Sequence, residues 1–199
     1  LLDISRLDQS AVRPDVALYR LDELLGPLVS EFQSVAQAAG LNLRVRMGDY
    51  AIRTDLRLMT RILRNLLSNA CRYTDQGSIL LAARRRGDQL RLEVWDTGRG
   101  IAADRLEAIF LEFNQLDVGR AAERKGVGLG LAIVERIARI LGYPVRVRSQ
   151  PGRGSMFSIQ VPLAEHRAVA TVTPALQALP GDPLPGRRLL VVDNELSIL

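Results

Sequence analysis

The chain has 199 residues, 47% hydrophobic and 25% charged, with a formal net charge of +5; it can bury a core and has room for one full domain plus flanking pieces. No apolar run approaches the roughly 18 to 20 residues of a membrane-crossing helix, and Leu1-Leu2-Asp3-Ile4 lacks the basic stretch and cleavage site of an export signal. A cytoplasmic location is therefore expected for this segment, with the membrane status of a longer parent left open. The lone cysteine, Cys71, excludes an internal disulfide, and the positive charge is nearly all arginine, Lys125 being the only lysine. Those arginines are spread along the chain without interleaved aromatics for base stacking, so neither nucleic acid nor a membrane surface is expected as a partner.

In chain order, Leu1 and Ile4, with Leu7 or Leu2, share a helical face in a piece too short to stand alone, as at the end of a longer helix. Residues 15–19 alternate like a strand. Leu21, Leu24, Leu25, Leu28, Val29, Phe32, Val35 and Ala39 then recur at helical spacing until Gly40 ends the run. Leu41, Leu43 and Val45 alternate with polar residues, and Tyr50 to Arg53 forms another short strand after Gly48-Asp49. Thr54 or Asp55 is placed to cap the helix with the clearest apolar stripe, Leu56 through Ala70, ending near Thr74.

Residues 78–85 and 89–96 alternate on either side of Gly87-Asp88, which predicts an antiparallel hairpin ending at Asp96. A short helix is predicted over 103–110, irregular chain over 111–127, and a helix over 129–141 stopped by Gly142 and Pro144. Two strands follow, Val145 to Ser149 and Ser155 to Val161, about a Pro-Gly-Arg-Gly turn. Residues 164–186 have the proline-rich composition of a linker, and 187–199 resemble a basic lead into one buried strand, Leu189 to Val192.

Three groups of residues carry chemistry. Asn65 and Asn69 lie four apart on the long helix, so both amides share a face beside Arg72 and Tyr73. Asparagine is a poor helix former, and a magnesium ion accepts amide oxygens when phosphates supply most of the negative charge. Asn69 is the expected metal ligand; Asn65 is placed to orient water or the phosphate end of the ligand. Asp96-Thr97-Gly98-Arg99-Gly100-Ile101 follows a strand, where a carboxylate can accept from an exocyclic amine while the glycines let backbone approach a flat ring such as adenine.

Lys125-Gly126-Val127-Gly128-Leu129-Gly130-Leu131 opens into a helix, where freed backbone N–H groups at the positive helix end bind anionic oxygens and Lys125 adds charge. A Rossmann turn is rejected because no strand precedes it and the spacing differs; a Walker A loop is excluded because no Gly-Lys dipeptide occurs.

In order and spacing these motifs resemble the bacterial sensor histidine protein kinases, over about residues 41 to 163. Asn65-Leu66-Leu67-Ser68-Asn69-Ala70 with Arg72-Tyr73-Thr74 is similar to that family's N box, Asp96 to Gly100 to its first glycine box, Phe110 to Phe113 to its F box, and Gly126 to Leu131 to its second glycine box. The resemblance implies a two-layer α/β sandwich of the GHKL (Bergerat) type: a mixed, mostly antiparallel sheet under three helices, with ATP covered by a lid between the F box and the second glycine box. It further implies that Asn69 binds magnesium, Asp96 the adenine amine, Gly98 and Gly100 the adenine side, and Arg72 and Lys125 the phosphates, with Tyr73 bordering the base.

The flanks extend the resemblance. Residues 1–13 look like the end of a dimerisation helix, 14–163 like the catalytic domain, 164–186 like a linker, and 187–199 like the start of a receiver domain in which Asp193 is followed by Asn194. A hybrid kinase is implied, with ATP, an upstream histidine-bearing domain and a receiver or response regulator as partners. The sole histidine, His166, lies in the linker without the setting of a phosphoacceptor, so the nucleophilic imidazole is expected elsewhere. Related ATPases carry a glutamate at the position of Asn65, which argues against efficient hydrolysis. A serine-phosphorylating relative and a non-catalytic nucleotide-sensing module are the remaining alternatives.

Overall fold

The computed structural model describes residues 13–111 and 128–164. Residues 1–12, Phe113, Lys125, Gly126, His166, and the expected linker and receiver start lie outside the described residues. Within them the order is strand β1 (Ala17–Arg20), helix α1 (Leu21–Ala38), β2 (Asn42–Arg46), β3 (Ala51–Thr54), α2 (Leu56–Tyr73), β4 (Ser78–Arg86), β5 (Gln89–Asp96), α3 (Gly130–Leu141), β6 (Val145–Gln150) and β7 (Gly154–Ala164).

The strands form one sheet in the order β1-β3-β7-β5-β4-β2, with β6 also paired to β7. β2 and β4 run parallel; the other pairs are antiparallel. The parallel pair follows from the chain between them: β3 and α2 make the crossover that parallel neighbours require.

Periodicity explains the layers. α2 buries Leu58, Met59, Ile62, Leu63, Leu66, Leu67, Ala70 and Cys71, the wide stripe of a helix lying on a sheet. α1 buries Leu21, Leu24, Leu25, Leu28, Phe32 and Ala36, and α3 buries Val134, Ile137 and Ala138. They meet Ile79, Leu81, Leu90, Leu92, Val94, Phe157, Ile159 and Val161 from the sheet in one core. Each such side chain, fully buried, contributes about 1.5 to 3 kcal/mol before conformational entropy is subtracted.

Local chemistry fixes the ends. Asp55, 2% exposed, caps α2 by accepting from Leu58 N at 3.0 Å, while its second oxygen accepts from Asp15 N at 2.9 Å. That bond takes the Asp15 amide away from the sheet, which is why β1 begins at Ala17 rather than at residue 15 as the alternation predicts. α3 stops at Gly142, whose φ of 71° is left-handed, and Tyr143 N closes back onto Ala138 O at 2.8 Å.

One predicted element changes form. Instead of a helix over 103–110 there are two separate 3-10 turns, Ala103–Arg105 and Ala108–Phe110. Only Ile109 is buried there, so no apolar stripe holds a longer helix, and a segment this short does not stand on propensity alone.

Candidate functional site

A cavity of about 90 Å³ opens between α2 and the ends of β5 and β7, lined by Asn69, Ala70, Tyr73, Asp96, Arg99, Gly100, Ile101, Ile109, Ser155 and Phe157. The register puts Asp96 there: Leu90, Leu92 and Val94 of β5 face the helices, and two residues on Asp96 points the same way from the strand end. Asp96 pairs with Ser155 of β7 and Ile79 of β4, so its carboxylate stands on the mid-sheet.

Asp96 Oδ1 accepts from Gly98 N at 2.9 Å and from Ser155 N at 3.2 Å. Oδ2 has no partner among the described residues. Burial pushes the Asp96 carboxyl above the usual carboxylate range, against the downward pull of the two backbone donors. The group is thus oriented by one oxygen and presents the other, partly desolvated, to the cavity.

The neighbouring glycines are required by close backbone approach. A Cβ at Gly98 would collide with the Tyr73 carbonyl oxygen and crowd Asp96 Oδ1; one at Gly100, whose φ is +70°, would collide with the Gln150 carbonyl; one at Gly154, φ +101°, would collide with that of Asp96 itself. The loop is stitched to its surroundings by Arg99 N to Tyr73 O at 3.2 Å, Gly152 N to Arg99 O at 2.8 Å and Ile101 N to Ser149 Oγ at 2.7 Å. The Arg99 guanidinium lies 5.9 Å from the Tyr73 ring centroid and 3.6 Å from Asp75 Oδ2, a cation–π contact that steadies the ring at the cavity edge.

The two asparagines face different openings. Asn69 lines the Asp96 cavity, whereas Asn65 lines a wider groove with Leu56, Arg57, Thr60, Arg61, Arg64, Ser68 and Ile133. Asn65 Nδ2 donates to Arg61 O at 2.8 Å, which leaves its oxygen outward. Both amide oxygens approach the start of α3: a Cβ at Gly130 would lie 3.0 Å from Asn65 Oδ1 and 3.8 Å from Asn69 Oδ1. Gly128 is left-handed at φ 73°, just before that helix begins.

Of the other expected binding residues, Tyr73, Gly100 and Ile101 line the cavity, and Gly98 is buried behind Asp96. Leu131 packs against the core; Leu129 caps α3 by backbone position alone. Arg72 lines a separate groove between α1 and α2, with Phe32, Val35, Ala38, Ala39, Ser68 and Cys71, and is not among the residues lining the Asp96 cavity. Ser155, Phe157, Ile109 and Arg99 line the cavity without having been singled out. Arg99 lies inside the Asp-Thr-Gly-Arg-Gly motif, and the inward alternation Ser155, Phe157, Ile159, Val161 was readable, but the service of the Ser155 amide to Asp96 was not.

With this geometry in place, comparison with known proteins decides the family. The model for histidine kinase-, DNA gyrase B- and HSP90-like ATPases matches residues 54–165. The chain belongs to that family. Among relatives, the chain is 32% identical over 164 residues to the sensor-like histidine kinase SenX3 of Mycolicibacterium smegmatis, covering 81% of the chain and 43% of that protein. It is 32% identical over 202 residues to the sensor histidine kinase GacS of Pseudomonas protegens, covering 98% of the chain and 21% of that protein.

Among solved structures, full-length ShkA in complex with AMPPNP superposes with a TM-score of 0.72 at 31% identity, over 80% of this chain and 34% of that one. The catalytic domain of the histidine kinase ThkA, at 22% identity and a TM-score of 0.65 over 74% of this chain and 95% of that one, shares the fold. Within the broad family the domain is therefore a catalytic domain of the histidine kinase kind. It spans less than half the length of the curated relatives cited. No described helix is long and apolar enough to cross a membrane.

Proposed function

We propose that this domain binds Mg-ATP and presents the γ-phosphate to a histidine on another domain of its parent protein. The observation that carries the reading is the Asp96 carboxylate, fixed through Oδ1 by two backbone N–H groups and open through Oδ2 to a cavity walled by Asn69 and Tyr73. An adenine placed there gives its exocyclic amine to Oδ2, lies on backbone freed of a side chain at Gly100, and is bordered by the Tyr73 ring, while Gly98 serves from behind by holding Oδ1. The ShkA structure, solved with AMPPNP, supports it by likeness.

For magnesium, the fit rests on the donor set. No group of three or more His, Cys, Asp or Glu side chains able to hold a metal occurs among the described residues, so these residues build no anionic cage. It offers the neutral amide oxygens of Asn69 and Asn65 converging on the start of α3, which suits a hard cation whose charge is met by phosphates and whose remaining positions hold water. When bound, the ion would neutralise charge on the phosphates. Asn69 would hold it, Asn65 would orient the phosphate end, and Gly128, Gly130 and the α3 N-terminus would add backbone donors, joined by Lys125 and Gly126 from the lid and by Arg72 only if its side chain swings from its present groove.

Catalysis of this kind is positioning and charge neutralisation, with the nucleophile supplied by the partner's histidine. The histidine-bearing domain and a receiver or response regulator are the proposed partners. Calorimetric titration of ATP with and without Mg²⁺ tests the reading: Asn69→Ala should abolish the magnesium dependence while sparing binding to the base. Folded protein that binds no ATP would leave the domain a non-catalytic interaction module.

A further inference from the structure

The sheet has a second face, turned away from the helices and the cavity, and it gathers arginines that are scattered in sequence. Register aligns them in rows. One row across five strands reads Arg44, Leu80, Trp95, Met156, Arg148; the next reads Arg46, Ala82, Glu93, Ser158, Arg146. Arg84 pairs with Arg91, and Arg86 with Gln89, completing the face. Of the charged residues that β2, β4, β5, β7 and β6 place on it, seven are arginines, and the single carboxylate, Glu93, is 0% exposed.

Glu93 is sealed beneath its neighbours: Arg91 Nε at 2.6 Å, Arg84 Nε at 3.2 Å, and a hydrogen bond from Trp95 Nε1 at 2.8 Å. It fixes the Trp95 ring on the sheet, where it stays 39% exposed beside Leu80 and Met156. Arg44, Arg46, Arg86, Arg146 and Arg148 are not ion-paired to any described residue.

We propose that this face docks an acidic protein segment. Charge complementarity selects the sign: seven guanidinium groups against one shielded carboxylate repel each other until an acidic surface covers them. Composition selects the class of partner, for a fixed tryptophan with apolar neighbours inside an arginine rim is the make-up of a protein interface, a dry centre ringed by charge. The size follows from the register. Arg44 and Arg148 stand four strand spacings apart, about 19 Å, a span matched by about six residues of extended chain laid across the strands. The partner's carboxylates at either end would meet the two edges while apolar side chains cover Trp95.

Trp95, the only tryptophan in the chain, reports the test directly. The probe is a short glutamate-rich peptide with central leucines, titrated into the domain while tryptophan emission is followed. Saturable binding is expected, at least roughly tenfold weaker in Arg44→Glu with Arg148→Glu. It should be unchanged in a helix-face pair with the same charge change, Arg57→Glu with Arg139→Glu. Should the reversed pair fail to fold, Arg44→Ala with Arg148→Ala carries the same expectation. The proposal is overturned if the peptide leaves the emission unchanged, if the two charge-reversed pairs lose binding equally, or if phosphatidylserine vesicles or duplex DNA bind through these arginines and the peptide does not.

Discussion

Replacing Asp96 by asparagine separates what the carboxylate does for the ligand from what it does for the fold. The amide oxygen can still accept from Gly98 N and Ser155 N, so the loop keeps its shape, but the group turned to the cavity becomes an N–H donor. An adenine amine then meets a donor in place of an anionic acceptor. Loss of one charge-assisted hydrogen bond is worth about 1.5 to 3 kcal/mol, so ATP affinity should fall by roughly ten- to 150-fold in calorimetric titration.

Stability should move the other way. Because the folded carboxyl is raised by burial, its favourable contribution is present below the unfolded value of about 3.9 and is lost as pH rises through the folded one. Asp96→Asn lacks that loss, so its unfolding midpoint at neutral pH should equal or exceed that of the parent, the gap widening as pH climbs from about 4. Unchanged affinity, or a midpoint that falls with affinity, would refute the assignment.

The remaining predictions probe the frame around the site. Gly154→Ala should lose about 1 to 3 kcal/mol in denaturant melts, since its Cβ strikes the Asp96 carbonyl at a left-handed φ. Gly142→Ala, equally left-handed but facing open space, should lose only about 1 kcal/mol. Glu93→Ala should destabilise by about 2 to 3 kcal/mol, less than for a wholly buried pair because Arg84 stays half exposed, and should shift Trp95 emission in the folded protein. Cys71, 8% exposed with its thiol pushed up by burial, should resist maleimide at neutral pH until the protein unfolds.

Much of this was legible in the sequence because burial imposes simple periods. The α2 stripe, the Gly87-Asp88 hairpin and the Gly40 and Gly142 stops appear where spacing predicted, within a residue or two. So do the positions set by local spacing: Asp96 beside its glycines, and Asn65 one turn before Asn69. What was hidden depends on pairing between distant strands. Nothing near Ser155 announces that its amide steadies Asp96, and no spacing rule reveals that Arg72 lies on the α1 side of its helix. The arginines read as scattered, solvated residues, because alternation along one strand says nothing about which strands stand beside it.

The partition of α2 has a consequence for traffic. Asn69 borders the chamber holding Asp96 and Asn65 the arginine-lined groove, so the two openings are divided by one helical turn, about 5.4 Å of rise. A visitor to the groove need not displace a base seated against Asp96, and the base need not leave for the visitor to depart. On the proposed reading, base and phosphoacceptor would each have a separate door, set side by side along a single rigid post.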